Sequence, residues 1–286
     1  MNLSRTDLAV ETAEELSAAR DIFAPGTGVA KSECLLCGCP VTRIHVRTPA
    51  GARAIGKPEG RYVTIDLRPA LSRQEALTGR AALCLCRELR ALLPPPSDGP
   101  ALVVGLGNDA MTPDAVGAAA LEHLLVTRHM VRSMPRQFGA LTPVAALATG
   151  VLARTGVETL ELIRGAADRL HPSVVIAIDA LAARSRHRLC ATVQLGDTGL
   201  IPGSGVGNHR RAIDRRALGV PVIAIGVPTV IDGAALRDED APPSGLFVTP
   251  QDIDHRVREL GRLIGMGVTL ALQPNLTLED VNALTG

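Results

Sequence analysis

The sequence predicts an α/β protein, a three-layer sandwich with a mostly parallel central sheet and an antiparallel β pair near the N-terminal part. Short apolar runs at residues 101–105, 174–178 and 221–226 have the composition of strands buried on both faces, which is typical of parallel sheets. Segments with helix-forming composition lie between these runs. Strands that alternate with helices indicate a doubly wound or three-layer arrangement.

The antiparallel pair is predicted from alternation of apolar and polar residues nearer the N-terminus. Residues 41–48 and 61–67 both alternate in this way, which is the pattern of half-exposed strands. The Pro-Ala-Gly sequence at 49–51 predicts a turn between them. We therefore expect these two strands to pair at the edge of the sheet.

A helix is predicted for residues 72–93, followed by a break in the sequence Pro-Pro-Pro-Ser-Asp-Gly at 94–99. Proline and glycine at this density interrupt regular structure. The predicted organisation is a single α/β domain over residues 1–286, in which the break separates an N-terminal subregion from the β/α core.

Composition limits the classes of function. The 286 residues are 46% hydrophobic, enough for the core of one large domain or two small ones. A formal net charge of +1 and an aromatic content of 1% argue against electrostatic or stacking-based nucleic-acid binding. The N-terminus has no signal-peptide pattern. The longest uncharged runs, 217–231 and 263–278, are too short for a membrane span. We expect a soluble cytoplasmic protein with neither nucleic acid nor a membrane as direct partner.

Five of the six cysteines form two clusters, Cys34, Cys37 and Cys39 in one and Cys84 and Cys86 in the other. Together they could offer four thiolates to zinc. However, the C-x-C spacing in both clusters also suits ordinary small buried residues, and free cysteine behaves mostly in that way. We favour the structural interpretation and leave metal binding open as the alternative.

Two glycine-rich stretches suggest binding loops. Residues 203–207 are Gly-Ser-Gly-Val-Gly, and 105–107 are Gly-Leu-Gly. The second lacks the third glycine of the dinucleotide motif, where Ala110 stands, and the first lacks the Lys-Ser/Thr of a P-loop. A binding module for a phosphate or a peptide therefore remains only an alternative to an enzyme.

The tripeptide Asp197-Thr198-Gly199 matches that of pepsin-like aspartic proteases. In those enzymes, two such carboxylates share one proton. This chain has a single copy within an α/β pattern, so we interpret it as an Asp-x-Gly turn that sets the shape of the loop.

Asp114 and Asp179 are the candidate catalytic pair. Asp179 directly follows the run 174–178, where an Ala/Leu-rich segment predicts a change from strand to helix. Asp114 lies in Thr-Pro-Asp, which matches N-cap, N1 and N2 of a predicted helix that extends to about residue 128. Because parallel strands end at the same edge of a sheet, the two carboxyl groups are expected to meet.

Two carboxyl groups that meet do not both ionise readily, so one is held protonated and the other ionised. Such a pair can activate water and then protonate a leaving amine, which is the chemistry of peptide hydrolysis. The alternative is that Asp114 and Asp179 are two independent acids that complement helix dipoles or cap helices. The residues alone leave these two interpretations about even.

The order of several sequence blocks resembles the germination protease family of spore-forming bacteria. The blocks are Arg-Thr-Asp-Leu-Ala-Val-Glu at 5–11, Gly-Arg-Tyr-Val-Thr at 60–64, Val-Gly-Leu-Gly-Asn at 104–108 with Thr-Pro-Asp at 112–114, Leu-Leu-Val-Thr-Arg-His at 124–129, residues 175–185 around Asp179, Asp-Thr-Gly at 197–199 with Pro-Gly-Ser-Gly-Val-Gly-Asn at 202–208, and residues 221–230. They are spread over residues 5 to 232.

The resemblance implies an atypical aspartic endopeptidase, without a cofactor, that degrades small acid-soluble (DNA-protecting) spore proteins during germination. It also implies a fold similar to that of the hydrogenase maturation proteases, a homotetramer, a location in the spore core, and catalytic roles for Asp114 and Asp179. The family is typically made with an N-terminal propeptide, and four residues precede Arg5. Either pro-segment control is lost, or the segment lies outside this sequence. The region after Asp232 is also shorter than is typical of the family.

One further enzyme hypothesis is a metal-dependent peptidase like the hydrogenase maturation proteases, which use a Glu/Asp/His metal site. In this chain, His123 and His129 are the candidate third ligands beside Asp114 and Asp179. The segment that carries these histidines would have to present one of them toward the two aspartates.

Overall fold

A computed structural model describes residues 7–19, 22–24, 26–71, 75–207, 210–236, 238, 242 and 244–285. In this part of the chain the strands are β1 (Val29–Leu36), β2 (Cys39–Val46), β3 (Gly60–Asp66), β4 (Ala101–Leu106), β5 (Val144–Gly150), β6 (Val174–Ala183), β7 (Thr192–Gly196), β8 (Val222–Asp232) and β9 (Phe247–Val248).

The helices alternate with these strands in the second half of the chain, as the sequence predicts. They are α1 (Ala9–Ala19), α2 (Pro49–Ile55), α3 (Arg68–Leu71), α4 (Glu75–Leu92), α5 (Val116–Glu122), α6 (Arg128–Ser133), α7 (Pro135–Phe138), α8 (Leu152–Thr155), α9 (Thr159–Leu170), α10 (Arg215–Leu218), α11 (Ile253–Leu272) and α12 (Leu278–Thr285). Short 3-10 segments cover Thr112–Asp114, Arg186–Arg188, Ser204–Val206 and Ala234–Leu236.

The strands form a continuous sheet in the order β1-β2-β3-β7-β8-β6-β4-β5, with β9 paired to β8. Its core is parallel, because β4 pairs in parallel with both β5 and β6, and β6 pairs in parallel with β8. The N-terminal strands β1, β2 and β3 pair antiparallel. The predicted α/β class and N-terminal antiparallel pair are confirmed. The predicted pair, β2 and β3, is not at the edge of the sheet, because β1 pairs with β2 on one side and β7 pairs with β3 on the other.

Helices cover both faces of the sheet. On one face, alternate strand residues such as Val103 and Ile176 pack against α4, α5 and α11 in the largest buried cluster. On the other face, their neighbours Val104 and Val175 pack against Leu160 of α9. This alternation follows from the two-residue period of a strand. The largest cluster contains residues from before and after segment 94–99. The prediction of a single domain remains a prediction.

Two predicted local structures are wrong. A helix forms where a turn was expected, and another helix begins later in the chain than was expected. Residues 49–51 begin α2 instead of a turn, and Thr48 caps this helix by accepting a hydrogen bond of 3.1 Å from the Gly51 amide. The sequence Thr-Gly-Val-Glu at 155–158 has capping-box spacing, which predicts a helix that opens at Thr155. In the structure Thr155 ends α8, and the N-cap residue of α9 is Glu158. In the first place a helix N-terminus was interpreted as a turn, and in the second the capping-box spacing occurs without a cap from Thr155.

A nearly buried ion pair links β2 to α4. Arg43 donates to both carboxylate oxygens of Glu88, at 2.8 Å from Nε and 2.5 Å from the terminal nitrogen. The Glu88 side chain is only 4% exposed, whereas that of Arg43 is 38% exposed. Glu88 therefore depends on Arg43 to compensate for its desolvation.

We expect Arg43→Met to lower the free energy of unfolding by about 1–3 kcal/mol, because it leaves the Glu88 carboxylate buried without its charged partner. Denaturant unfolding measures this loss. Arg68→Met is the matched control, since Arg68 forms a similar pair with Asp66 but is 60% exposed. That change should cost less than about 1 kcal/mol. Equal losses in the two variants would contradict the importance of burial at Glu88.

Within the residues described, no helix is both long enough and apolar enough to cross a membrane.

Candidate active site

The carboxyl end of β4 lies beside the middle of β6, next to Asp179. The two strands are parallel, and Gly105 near the end of β4 is in register with Ile178 of β6. Asp179 follows Ile178 directly, and the chain that leaves β4 returns through the 3-10 segment Thr112–Asp114. The structure brings Asp114 and Asp179 together closely enough for their charges to interact.

Asp179 lies inside β6, so the prediction that it marks a change from strand to helix is wrong. Residues after it continue the strand to Ala183 and remain in register with β8, where Asp179 itself is opposite Gly226. The Ala/Leu composition of this segment favours a helix in isolation. Hydrogen bonding to the long neighbouring strand overrides that local preference.

Asp114 lies at the end of a 3-10 turn, and the predicted continuous helix from Thr112 to about residue 128 is also wrong. The N-cap residue of the turn is Met111, and α5 begins only at Val116 and ends at Glu122. Asp114 does more than complement the dipole of a helix, because its Oδ2 accepts a hydrogen bond of 2.7 Å from the Asn108 amide. The loop after β4 therefore holds the carboxylate in a defined orientation.

Glycines allow this loop and α5 to approach the strand ends. At Gly107, with φ of 95°, an added Cβ would lie 2.0 Å from the Asp114 carbonyl oxygen. At Gly117, it would lie 2.4 Å from the Leu106 carbonyl oxygen and 2.7 Å from that of Ile178. The glycines that suggested a nucleotide loop at 105–107 instead permit close packing around Asp114.

Burial dominates the electrostatics of Asp179. Asp179 is only 5% exposed. This burial raises the pKa of its carboxyl group well above the usual range. The negative charges of Asp114 and then Asp7 raise the pKa further, whereas the hydrogen bond from the Ala180 amide opposes the rise. Asp179 is the carboxyl group of this site that most strongly favours the protonated form.

The pKa of Asp114 is also raised by burial, but the Asn108 N–H opposes this by stabilising the ionised form. Asp114 is less buried than Asp179, being partly accessible. The environment of Asp179 therefore favours a proton donor, and that of Asp114 favours a proton acceptor.

A cavity of about 440 Å³ lies beside Asp179. Asp7, Lys57, Gln194 and Ser204 contribute polar groups to its wall. Asp179 is part of the lining of this cavity, and Asp114 is not. Tyr62 also lines it, and burial raises the pKa of its hydroxyl to about 12. The Tyr62 hydroxyl donates a hydrogen bond of 2.8 Å to the Pro58 carbonyl.

Sequence reasoning missed Asp7 and Lys57 as residues of this site. Both belong to conspicuous sequence blocks, Arg-Thr-Asp-Leu-Ala-Val-Glu at 5–11 and Gly-Lys-Pro at 56–58. Neither follows a buried parallel strand, which was the signal used to find Asp114 and Asp179. Only the tertiary fold brings these segments to the end of β6.

The Asp-Thr-Gly motif at 197–199 has structural contacts. Asp197 accepts hydrogen bonds of 2.7 Å from both the amide and Nε of Arg61. Gly199 has a φ of 75°, and a Cβ there would lie 2.1 Å from the Ile213 carbonyl oxygen. These contacts agree with a shape-setting role for Asp-Thr-Gly.

The histidines and cysteines proposed as metal ligands have other contacts. Nδ1 of His123 lies 3.0 Å from the Thr285 carbonyl oxygen in the C-terminal helix. Cys39, Cys84 and Cys86 are buried in the largest hydrophobic cluster. Across the described ranges, no group of three or more His, Cys, Asp or Glu side chains is arranged to hold a metal ion. Neither metal hypothesis gains support from the positions of these side chains.

The fold and this site define an α/β protein with two interacting carboxyl groups beside the carboxyl end of β4 and an adjoining cavity. Comparison with known proteins specifies it further. The family model described as germination protease matches residues 6–241, and the chain belongs to this family. Members of the family are named as proteases, so the chain belongs to a family of peptidases.

Relatives match over nearly the whole chain. A germination protease from Caldanaerobacter subterraneus is 39% identical and covers 98% of this chain and 97% of its own length. One from Clostridium perfringens is 36% identical and covers 97% and 98%. That of Bacillus subtilis is 37% identical and covers 98% of this chain and 76% of its own.

Among solved structures, a nickel–iron hydrogenase maturation protease from Thermococcus kodakarensis is similar at 18% identity and a TM-score of 0.38. It covers 63% of this chain and 98% of its own.

Proposed function

We propose that this chain is an endopeptidase that cleaves small acid-soluble, DNA-protecting spore proteins during germination, by a mechanism that uses Asp114 and Asp179. The observation that carries the proposal is that Asp179 is deeply buried beside a cavity and that the charge of Asp114 acts on its carboxyl group. Membership of the germination protease family supports the substrate class.

In the proposed reaction, Asp114 is ionised and accepts a proton from a water molecule as the water oxygen bonds to the carbonyl carbon of the substrate. Asp179 begins protonated and gives its proton to the leaving amine nitrogen as the carbon–nitrogen bond breaks. Transfer of the proton from Asp114 to Asp179 then restores the starting state. The roles follow from the environments, since Asn108 favours the ionised form of Asp114, whereas burial favours the protonated form of Asp179.

The same proposal includes the organisation and location of the protein. We propose one α/β domain over residues 1–286, and the continuous sheet on both sides of segment 94–99 supports this. A homotetramer and a location in the cytoplasm of the spore core follow from the family resemblance alone.

Asp114→Asn is expected to lower the rate of cleavage by at least about 10²-fold, because it removes the base that activates water. The purified protein is incubated with a small acid-soluble spore protein, and the products are identified by mass spectrometry. The unmodified enzyme should cut this substrate, and it should remain active in the presence of a metal chelator.

Asp109→Asn is the matched control for this experiment. Asp109 lies five residues from Asp114 but is exposed and paired with Arg154, so its loss should leave cleavage unchanged. Full activity of Asp114→Asn would remove this residue from the mechanism. Loss of wild-type activity on chelation would instead support the metal-dependent alternative.

A further inference from the structure

The cavity beside Asp179 contains a second carboxylate, that of Asp7, which the two-aspartate mechanism leaves without a role. We propose that Asp7 is a positioning residue of this active site, and that its carboxylate ties the glycine-rich loop at 203–207 to the end of β6 beside Asp179. This inference rests on the proposed function, because it assigns Asp7 a task in the same reaction.

Asp7 holds the end of β6 through both backbone groups of Ala182. Its amide donates to the Ala182 carbonyl at 3.3 Å, and its Oδ2 accepts from the Ala182 amide at 3.0 Å. Ala182 is three residues beyond Asp179 on the same strand. The N-terminal segment therefore fixes the strand that carries the buried carboxyl group.

The same carboxylate holds the glycine-rich loop. Its Oδ1 accepts a hydrogen bond of 2.5 Å from the Ser204 hydroxyl. A Cβ added at Gly205 would lie 2.2 Å from Asp7 Oδ2 and 2.8 Å from the Ala182 Cβ. Glycine at 205 is therefore required for the close contact between the loop, Asp7 and β6. This contact explains why the motif at 203–207 has a glycine at that position.

The backbone of Asp7 is fixed from two more directions. Its carbonyl oxygen accepts hydrogen bonds from Lys57 Nζ at 3.0 Å and from Gln194 Nε2 at 3.3 Å. The other side-chain atom of that glutamine, Oε1, accepts from the Ala9 amide at 2.8 Å. Each polar atom of Asp7 thus has a partner, so its carboxylate has a defined position relative to Asp179.

The charge of Asp7 also acts on Asp179. After burial and the charge of Asp114, it is the third contribution that raises the pKa of Asp179. Burial lowers the pKa of the nearby Lys57, whereas the charges of Asp7 and Glu11 raise it. Among the described residues, the other titratable groups that line this cavity are Lys57, Tyr62 and Asp214. Asp114 acts on Asp179 by its charge, and Glu11 acts on Lys57.

The test compares Asp7→Asn and Asp7→Ala with the unmodified enzyme. Asp7→Asn removes the charge but keeps an acceptor oxygen, so the alkaline limb of the kcat profile should move to lower pH, since Asp179 then loses its proton more easily. Asp7→Ala also removes the ties to Ala182 and Ser204, and kcat should fall by about 10²-fold through misplacement of the site. KM should change much less than kcat.

Glu14→Gln is the matched control. Glu14 lies on α1, just beyond Asp7, and its ion pair with Arg188 is on the surface, so its pH profile should superimpose on that of the wild type. If Asp7→Asn fails to fold, Ser204→Ala replaces it, since that change removes only the 2.5 Å bond. A lowered kcat in Ser204→Ala supports the proposal, and a wild-type kcat overturns it.

Thermal unfolding gives a readout that does not need activity. In a double-mutant cycle, Asp179→Asn should stabilise the Asp7→Asn protein less than it stabilises the wild type, because the repulsion between the two carboxyl groups has already been removed. Additive stabilities together with an unchanged pH profile would overturn the inference. If Asp179→Asn itself cleaves normally, the proposed function fails. If Asp179→Asn is inactive while the Asp7 variants behave like the wild type, only the role of Asp7 fails.

Discussion

Asp179→Asn should abolish cleavage and at the same time make the protein more stable at neutral pH. The loss of activity is expected to be about 10²–10⁴-fold, because the variant has no acidic proton to donate to the leaving amine. The gain in stability follows from burial, since a carboxyl group at this site resists ionisation and a neutral amide does not. Stabilising changes of this kind commonly contribute about 0.5–2 kcal/mol.

The gain in stability from Asp179→Asn should depend on pH in a defined direction. The pKa of Asp179 is higher in the folded than in the unfolded chain. The folded state therefore retains its proton more tightly between these two pKa values, and the contribution of Asp179 to stability falls as the pH rises through that window. The advantage of Asp179→Asn should consequently be smallest in acid and grow toward neutral pH, as measured by thermal unfolding at several pH values.

Asp232→Asn is a control of opposite sign. Although burial raises the pKa of Asp232, hydrogen bonds from Ser244, Ala234 and Gly245 lower it to about 2. Such a carboxylate contributes stability above its unfolded pKa, which is lost as the pH falls toward 2. This variant should be less stable than the wild type at neutral pH and should keep its activity. An Asp179→Asn protein that is both active and no more stable would contradict the assignment of Asp179 as a buried acid.

Gly117→Ala should impair both folding stability and cleavage, although this residue is not part of the carboxylate pair. The added Cβ would lie 2.4 Å from the Leu106 carbonyl oxygen and 2.5 Å from its amide nitrogen. These are backbone atoms of β4, so α5 must move away from the sheet. We expect a loss of about 1–3 kcal/mol in the free energy of unfolding. The shift also displaces the turn with Asp114, and kcat should fall by about 10²-fold.

Gly165→Ala provides the matched control, because it is the same substitution in another helix that packs against the sheet. Gly165 lies in α9, and a Cβ there would meet no atom within 4 Å. Alanine favours the helix over glycine by about 1 kcal/mol, so this variant should be more stable and fully active. Denaturant unfolding and the cleavage assay measure both variants. Equal behaviour of the two would show that the close approach at Gly117 is unimportant.

The parallel core was predictable because its strands are continuous apolar runs, and such runs at 101–105, 174–178 and 221–226 suit only a sheet covered on both faces. The proximity of Asp114 and Asp179 was expected because adjacent parallel strands would end together, but in the structure β4 ends beside the middle of β6. The local environment of each aspartate was not predictable. Asp179 continues a strand because β8 extends beside it, and Asp114 ends a 3-10 turn because α5 starts later than its capping signals indicate.

The sequence by itself determined the fold class and the family, because these depend on local composition and on ordered sequence blocks, and it selected Asp114 and Asp179 as the candidate catalytic pair. Tertiary structure alone decided which groups surround them. Asp7 and Lys57 reach the cavity beside Asp179 from segments well over a hundred residues away in the chain. Burial by the assembled sheet, which no local pattern encodes, makes Asp179 a carboxyl group that favours its proton.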